Sequence, residues 1–153
     1  MPKIMLSIDP GAKGAIATFE DKFLVAMTRA TPEFLTNLLL RLRGARVVLE
    51  QVNGAPGQSG PASFNFGKAY GELLGVCEAL RVEPVLVRPA DWKPALGLRR
   101  EYGETTAQFK RRSLVMARDL WPEHASRFFK LAKDDGAAEA ALLGHYALVQ
   151  GIV

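Results

Sequence analysis

The stretch Ile4-Met5-Leu6-Ser7-Ile8-Asp9-Pro10-Gly11 constrains this chain most, because an apolar run ends on a carboxylate and then breaks. A strand buried on both faces is nearly continuous in hydrophobicity, so the run predicts an interior strand that carries Asp9 to the rim of a sheet. Gly11 and Gly14 frame Ala12-Lys13 as a tight turn, after which residues 15–19 return antiparallel. Asp9 as a plain turn cap is the simpler alternative. Residues 22–27 form a third extended segment, and Thr31-Pro32 starts a helix running to about Arg43, where Gly44 stops it. Its apolar positions Phe34, Leu35, Leu38, Leu39 and Leu42 recur at helical spacing. The first pattern then repeats: Arg46-Val47-Val48-Leu49-Glu50-Gln51 is a second buried strand ending in an acid. With a helix between them the two strands can lie parallel as neighbours, which puts Asp9 and Glu50 on one edge. Two carboxylates at one rim invite a divalent metal.

A glycine-rich loop between Val52 and Pro61 adjoins Glu50 and is placed to contact a substrate. The next helix, over about 63–81, sets Gly67, Gly71 and Gly75 four apart with Ala79 continuing the row. Each interior glycine costs about 0.5–1 kcal/mol against alanine, so the row implies close packing, either on a second subunit or on the protein's own sheet. Phe64 and Phe66 at the helix entrance read as core anchors, with base-stacking wedges as the alternative. A further strand over 83–88 precedes a short helix that begins Pro89-Ala90-Asp91-Trp92-Lys93-Pro94.

A polar segment over 99–104 leads into a helix over about 105–121, which carries Lys110, Arg111, Arg112 and Arg118 against an apolar face of Phe109, Leu114, Val115 and Leu120. With Arg99, Arg100, Lys130 and Lys133 this makes the C-terminal half the basic one, in a chain of net charge +4 and pI near 9.4. A solvated face explains part of that; beside an acidic metal site, a basic surface is what phosphodiester binding needs. The alanine- and leucine-rich segment after Lys133 is a helix with Asp135 and Glu139 on one face, a like-charge pair that a cation would neutralise. Asp134 could be the ligand instead, with Asp135 as cap. His145 reads as an ordinary core or rim histidine.

At 153 residues and 48% hydrophobic content the chain suits one globular domain with a real core. No apolar run approaches the ~20 residues that span a bilayer, and the N-terminus lacks a signal-peptide layout, so the expectation is a soluble, cytoplasmic protein with no membrane partner. The single cysteine, Cys77, reads as a small buried hydrophobe.

Taken in order, Ile8-Asp9-Pro10-Gly11, Leu49-Glu50-Gln51-Val52, Pro89-Ala90-Asp91-Trp92-Lys93 and Asp135-x-x-x-Glu139 make the sequence resemble the RuvC-type Holliday-junction resolvases, particularly their small phage-encoded members. The resemblance covers nearly the whole chain and implies an RNase H-like α/β fold, a mixed five-stranded sheet flanked by helices, over residues 1–153. It implies that Asp9, Glu50, Asp135 and Glu139 are the catalytic acids and hold two Mg²⁺ ions, for which Mn²⁺ substitutes. Many family members space the last two acids three apart, so either Asp134 or Asp135 completes the set here. The implied activity is paired symmetric nicking of four-way DNA junctions by a homodimer, in recombination and repair, in the cytoplasm of a bacterial or phage-infected cell. Arg99, Arg100, Lys110, Arg111, Arg112, Lys130 and Lys133 are the candidate DNA contacts.

The chemistry asks for the same set: two cations about 3.5–4 Å apart activate water and stabilise both attacking and leaving oxygens, and hard cations take oxygen ligands. A lysine near the acids, Lys130 or Lys133, would neutralise charge in the transition state or hold phosphate. Rival readings are an RNase H-like nuclease acting on RNA or other branched DNA, and a non-catalytic nucleic-acid-binding module. A sugar-kinase-like fold, which also opens Asp-x-Gly, needs a second half that 153 residues do not supply.

Overall fold

A computed structural model of the chain describes residues 1–53 and 57–153. Five strands form one sheet in the order β3-β2-β1-β4-β5: β1 (Ile4–Asp9), β2 (Ala15–Glu20), β3 (Phe23–Arg29), β4 (Arg46–Glu50) and β5 (Val85–Val87). The first three make an antiparallel meander, and β4 and β5 extend it in parallel with β1. The mixed five-stranded sheet expected from the sequence is therefore present, with β1 and β4 side by side. The predicted substrate-contact loop falls partly on residues 54–56, outside the described residues.

Among the described residues six α-helices flank the sheet: α1 (Pro32–Arg41), α2 (Gly60–Ala79), α3 (Pro89–Ala95), α4 (Thr106–Leu120), α5 (Ala125–Phe128) and α6 (Asp135–Val149). Side chains alternate across a strand, and this two-residue period sorts the core into two layers. Leu6 and Ile8 of β1 and Val47 and Leu49 of β4 face Leu35, Leu38 and Leu39 of α1 and Leu73 and Cys77 of α2. Met5 and Val48 face the other way, onto Trp92, Leu114, Trp121, Phe129 and the alanines of α6. Asp9 and Glu50 have the parity of Met5 and Val48, so both acids belong to the α6 side. Cys77 is buried, and burial pushes its thiol pKa up, as expected for a packed, unreactive hydrophobe.

Helix α6 lies flush on the sheet because its contact face carries Gly136, Ala140, Gly144 and Ala147 at helical spacing, all buried. Ser7 Oγ, itself buried, donates to the Ala140 carbonyl at 2.8 Å and ties the helix to β1. A Cβ on Gly144 would collide with the Phe19 ring and lie 3.0 Å from Ser7 Cβ.

Of the two packings left open for the glycine row one is excluded, and one expectation is corrected. The glycine row of α2 does not pack on the sheet: Gly67, Gly71 and Gly75 are exposed, and a Cβ on any of them would meet nothing within 4 Å. The helix turns Tyr70, Leu73, Leu74 and Cys77 inward instead, because those positions carry the apolar side chains at i, i+3, i+4, i+7 spacing. Phe64 and Phe66 are not core anchors, since Phe64 is 71% exposed and Phe66 lines an open cleft. The stretch after Trp121 contains a 3₁₀ turn and the single-turn helix α5, whose Phe128 and the following Phe129 complete the aromatic end of the core around Trp121.

Gly144→Ala tests the flush contact. The clash with Phe19 should outweigh alanine's better helix propensity, with a net loss of about 1–3 kcal/mol of stability in urea unfolding.

Candidate metal centre

Three elements bring acids to one spot. Asp9 ends β1, Glu50 ends β4, and Glu139 sits one turn into α6; one carboxylate oxygen from each lies within 4.8 Å of the others. The β1–β2 turn is shaped to let α6 this close. Gly11 adopts φ +129°, Gly14 donates its N–H to the Gly11 carbonyl, and a Cβ on Gly14 would collide with the Asp9 carbonyl. A Cβ on Gly136 would likewise collide with the Lys13 carbonyl. Two missing side chains thus set the gap between Asp9 and the first turn of α6.

The acids open into a cleft of about 430 Å³ lined also by Lys13, Phe66, Lys93, Arg100, Phe109, Lys110 and Asp135. Asp135 opens α6 and pairs with Lys110 at 3.2 Å, and its charge reaches Asp9. Asp134 is engaged elsewhere: its Oδ2 accepts the Leu131 N–H at 2.7 Å and caps the preceding 3₁₀ turn. Of the two aspartates left open by the sequence, Asp135 is the one on the cleft.

Lys93 is the cation of the cluster. Its Nζ donates to Glu139 Oε1 at 3.0 Å, and its ammonium lies over the rings of Trp92 and Phe109. Sequence reasoning looked for this lysine at Lys130 and Lys133; both are exposed and neither lines the cleft. The available signal was the position of Lys93 at the end of Pro89-Ala90-Asp91-Trp92-Lys93, just past β5, whose C-terminal end shares an edge with Asp9 and Glu50. The second group missed is Phe109. Counted as apolar helix face, it is the ring on which Lys93, Arg100 and Arg112 converge at 5.7, 5.4 and 5.7 Å.

The other predicted basic residues divide. Arg100 and Lys110 line the cleft. Arg112 is spent internally, donating to the Arg99 and Gly97 carbonyls and pairing with Glu104 at 3.1 Å, which fastens the segment between α3 and α4. Arg99, Arg111, Lys130 and Lys133 are exposed. His145, with its pKa lowered by burial, packs edge-on against Trp121 away from the acids.

Burial raises the Asp9 pKa well above the ordinary value, and the charges of Glu139 and Glu50 push it further, against partial relief from Lys93. Glu50 is also raised, first by burial, with Glu139 adding and Lys93 and the Trp92 hydrogen bond opposing. Burial pulls the Lys93 pKa down, but Glu139, Glu50 and Asp9 outweigh it and the net shift is upward. Crowded carboxylates with a single buried ammonium among them form an under-neutralised, all-oxygen donor set, which fits a hard divalent cation.

This sheet order with its flanking helices is an RNase H-like fold. The chain is similar over 97% of its length to Thermus thermophilus RuvC, both in complex with a Holliday junction substrate (16% identity, TM-score 0.58) and in a second structure (17% identity, TM-score 0.58), covering 96% of each. The RuvC-like fold expected from the resemblance is thereby observed. No protein-family model matches the chain, and no curated protein matches it in sequence.

The raised Asp9 pKa makes a testable statement about the metal-free protein. Between the unfolded value near 3.8 and the higher folded value, the folded state binds more protons than the unfolded chain, so stability is greatest at the acidic end and falls as pH rises through that window. Asp9→Asn removes the penalty. In EDTA at neutral pH it should melt above the parent, by about 2–4 °C for each kcal/mol of relieved strain, and added Mn²⁺ should stabilise the parent but not the variant.

Proposed function

We propose that the chain is a divalent-metal-dependent endonuclease that resolves four-way DNA junctions, as a single RNase H-like nuclease domain over residues 1–153. The observation that carries this reading is the convergence of Asp9, Glu50 and Glu139 in a cleft whose walls carry Lys93, Arg100 and Lys110. Acids at the floor with cations around them are what a phosphodiester at a metal site requires, and the neighbour of the same fold was solved with a Holliday junction.

Asp9, Glu50 and Glu139, with Asp135 beside them, would hold Mg²⁺, and Mn²⁺ in its place. Two such ions would supply the Lewis-acid charge for hydrolysing the phosphodiester. The remaining work falls to the chain's own residues. Arg100 and Lys110 hold backbone phosphates at the mouth of the cleft, with Arg99, Arg111, Lys130 and Lys133 extending the contact along the arms. Lys93, fixed by Glu139, keeps a positive charge beside the scissile phosphate as negative charge develops there. Phe66 forms an apolar wall opposite, against Gly11.

A junction offers two equivalent strands, so a two-fold dimer places one site on each and makes symmetric nicks. The exposed glycine row of α2, on the helix that follows the Glu50 loop, is the surface we assign to that contact.

The decisive experiment is cleavage of a four-way junction, a linear duplex, a branched three-way DNA and an RNA–DNA hybrid, with and without Mg²⁺. Junction-selective, Mg²⁺-dependent nicking is expected; preference for the hybrid would make the protein an RNA-directed relative, and binding without cleavage an inert module. Asp9→Asn and Glu50→Gln should each cut at least about 10³-fold more slowly, several kcal/mol of lost transition-state stabilisation, with junction affinity retained. Replacing Arg100 and Lys110 together by Gln should flatten the log–log salt dependence of binding by about two units, one per phosphate contact. Gly71→Leu, at a position where an added Cβ meets nothing within 4 Å, should leave the circular dichroism unchanged but yield a monomer by sedimentation and uncoupled nicks; a folded, fully dimeric variant would remove α2 from the interface.

A further inference from the structure

Trp92 is the largest of the fully buried side chains, and its indole Nε1 donates to Glu50 Oε2 at 2.7 Å. Glu50 is itself buried, and its Oε1 accepts no hydrogen bond among the described residues. The next residue, Lys93, holds Glu139, so one turn of α3 grips two of the three clustered acids. That turn is itself braced at its start by Arg88, which donates from Nε and Nη2 to both oxygens of Asp91 at 2.9 and 3.0 Å.

We propose that Trp92 is a positioning residue for the metal centre: its N–H fixes one oxygen of Glu50 and leaves the other for the cation. The inference rests on reading the acids as a cation site. The terminal torsion of a glutamate is broad and two-fold, so an unheld Glu50 would exchange its oxygens and swing between one- and two-oxygen coordination. Lys93 could not perform this service for Glu50 without adding a second competing positive charge at the same ligand. A neutral donor fixes the rotation while leaving the carboxylate's charge available. Indole is suited to that role, because it is a donor only, with a single N–H at the edge of a large apolar body. The apolar body, packed among the core residues of the α6 side, holds the N–H in place. A side chain needed only for bulk at this position would carry no N–H to satisfy; here the buried donor has a single acceptor, and that acceptor is a clustered acid.

Partners that orient a ligating side chain typically cost 10–100-fold in metal affinity when removed. The test is calorimetric titration of Mn²⁺ into the metal-free full-length protein. Trp92→Phe keeps an aromatic ring and deletes the donor; a Trp92 replaced by its benzothiophene isostere keeps the shape as well and carries the test if the Phe variant folds poorly. Both should bind Mn²⁺ about 10–100-fold more weakly, and in a Glu50→Ala background Trp92→Phe should add nothing further. The indole N–H resonance assigned to Trp92 should shift upfield in Glu50→Ala, whereas that of Trp121 should stay in place. An isostere variant that binds Mn²⁺ within twofold of the parent, with only its melting temperature lowered, would make Trp92 a core residue and nothing more. A parent that binds no Mn²⁺, or binds it equally well as Asp9→Asn, would overturn the metal-centre reading as well, and is recognised before any Trp92 variant is made.

Discussion

The close seating of α6 on β1 and β2 is the contact on which the structure depends. Helices normally stand off a sheet by the depth of their side chains. Here Gly136, Ala140, Gly144 and Ala147 remove that depth, and Ser7 closes the gap with a buried hydrogen bond to Ala140. The result is more than dense packing. Glu139 projects from the same helix, so its distance from Asp9 and Glu50 is set by the backbone separation that the small residues permit. A bulkier contact face would leave the fold recognisable and the three acids apart.

Electrostatics runs against packing at this point. Burial in the recessed site first, and the acids' mutual repulsion second, make Asp9 and Glu50 hold their protons more tightly than free carboxylates do. Lys93 relieves only part of that repulsion. The fold accepts the strain because hydrophobic layers on both faces of the sheet over-determine the positions of β1, β4 and α6. Strain held by surrounding packing is the usual signature of a functional site.

Much of this was legible in the sequence, for a physical reason: the strands that carry the acids are interior, so burial on both faces writes them as unbroken apolar runs ending abruptly in Asp9 and Glu50. Their shared facing follows from two-residue periodicity, and Asp135 and Glu139 from helical periodicity. What the sequence hid were relations between distant segments. Lys93 rather than Lys130 or Lys133 is the lysine among the acids because of where the end of β5 delivers α3, a signal that becomes readable only once the strand order is known. Phe109 looked like helix core for the same reason that Phe66 did: an aromatic at an apolar position is silent about whether it faces a hydrophobic layer or a cleft. The glycines of α2 showed the opposite ambiguity, since small residues serve equally to admit a neighbour and to leave a surface bare. Only the coordinates separate Gly144, pressed against Phe19, from Gly71, facing open space.

The bond from Ser7 to Ala140 joins residues 133 positions apart. During synthesis Asp9, Glu50 and Lys93 therefore emerge long before Glu139, and until α6 can dock the first two acids are an incomplete pair beside an unpaired lysine. The cluster of three acids therefore closes only when the last helix seats on the sheet.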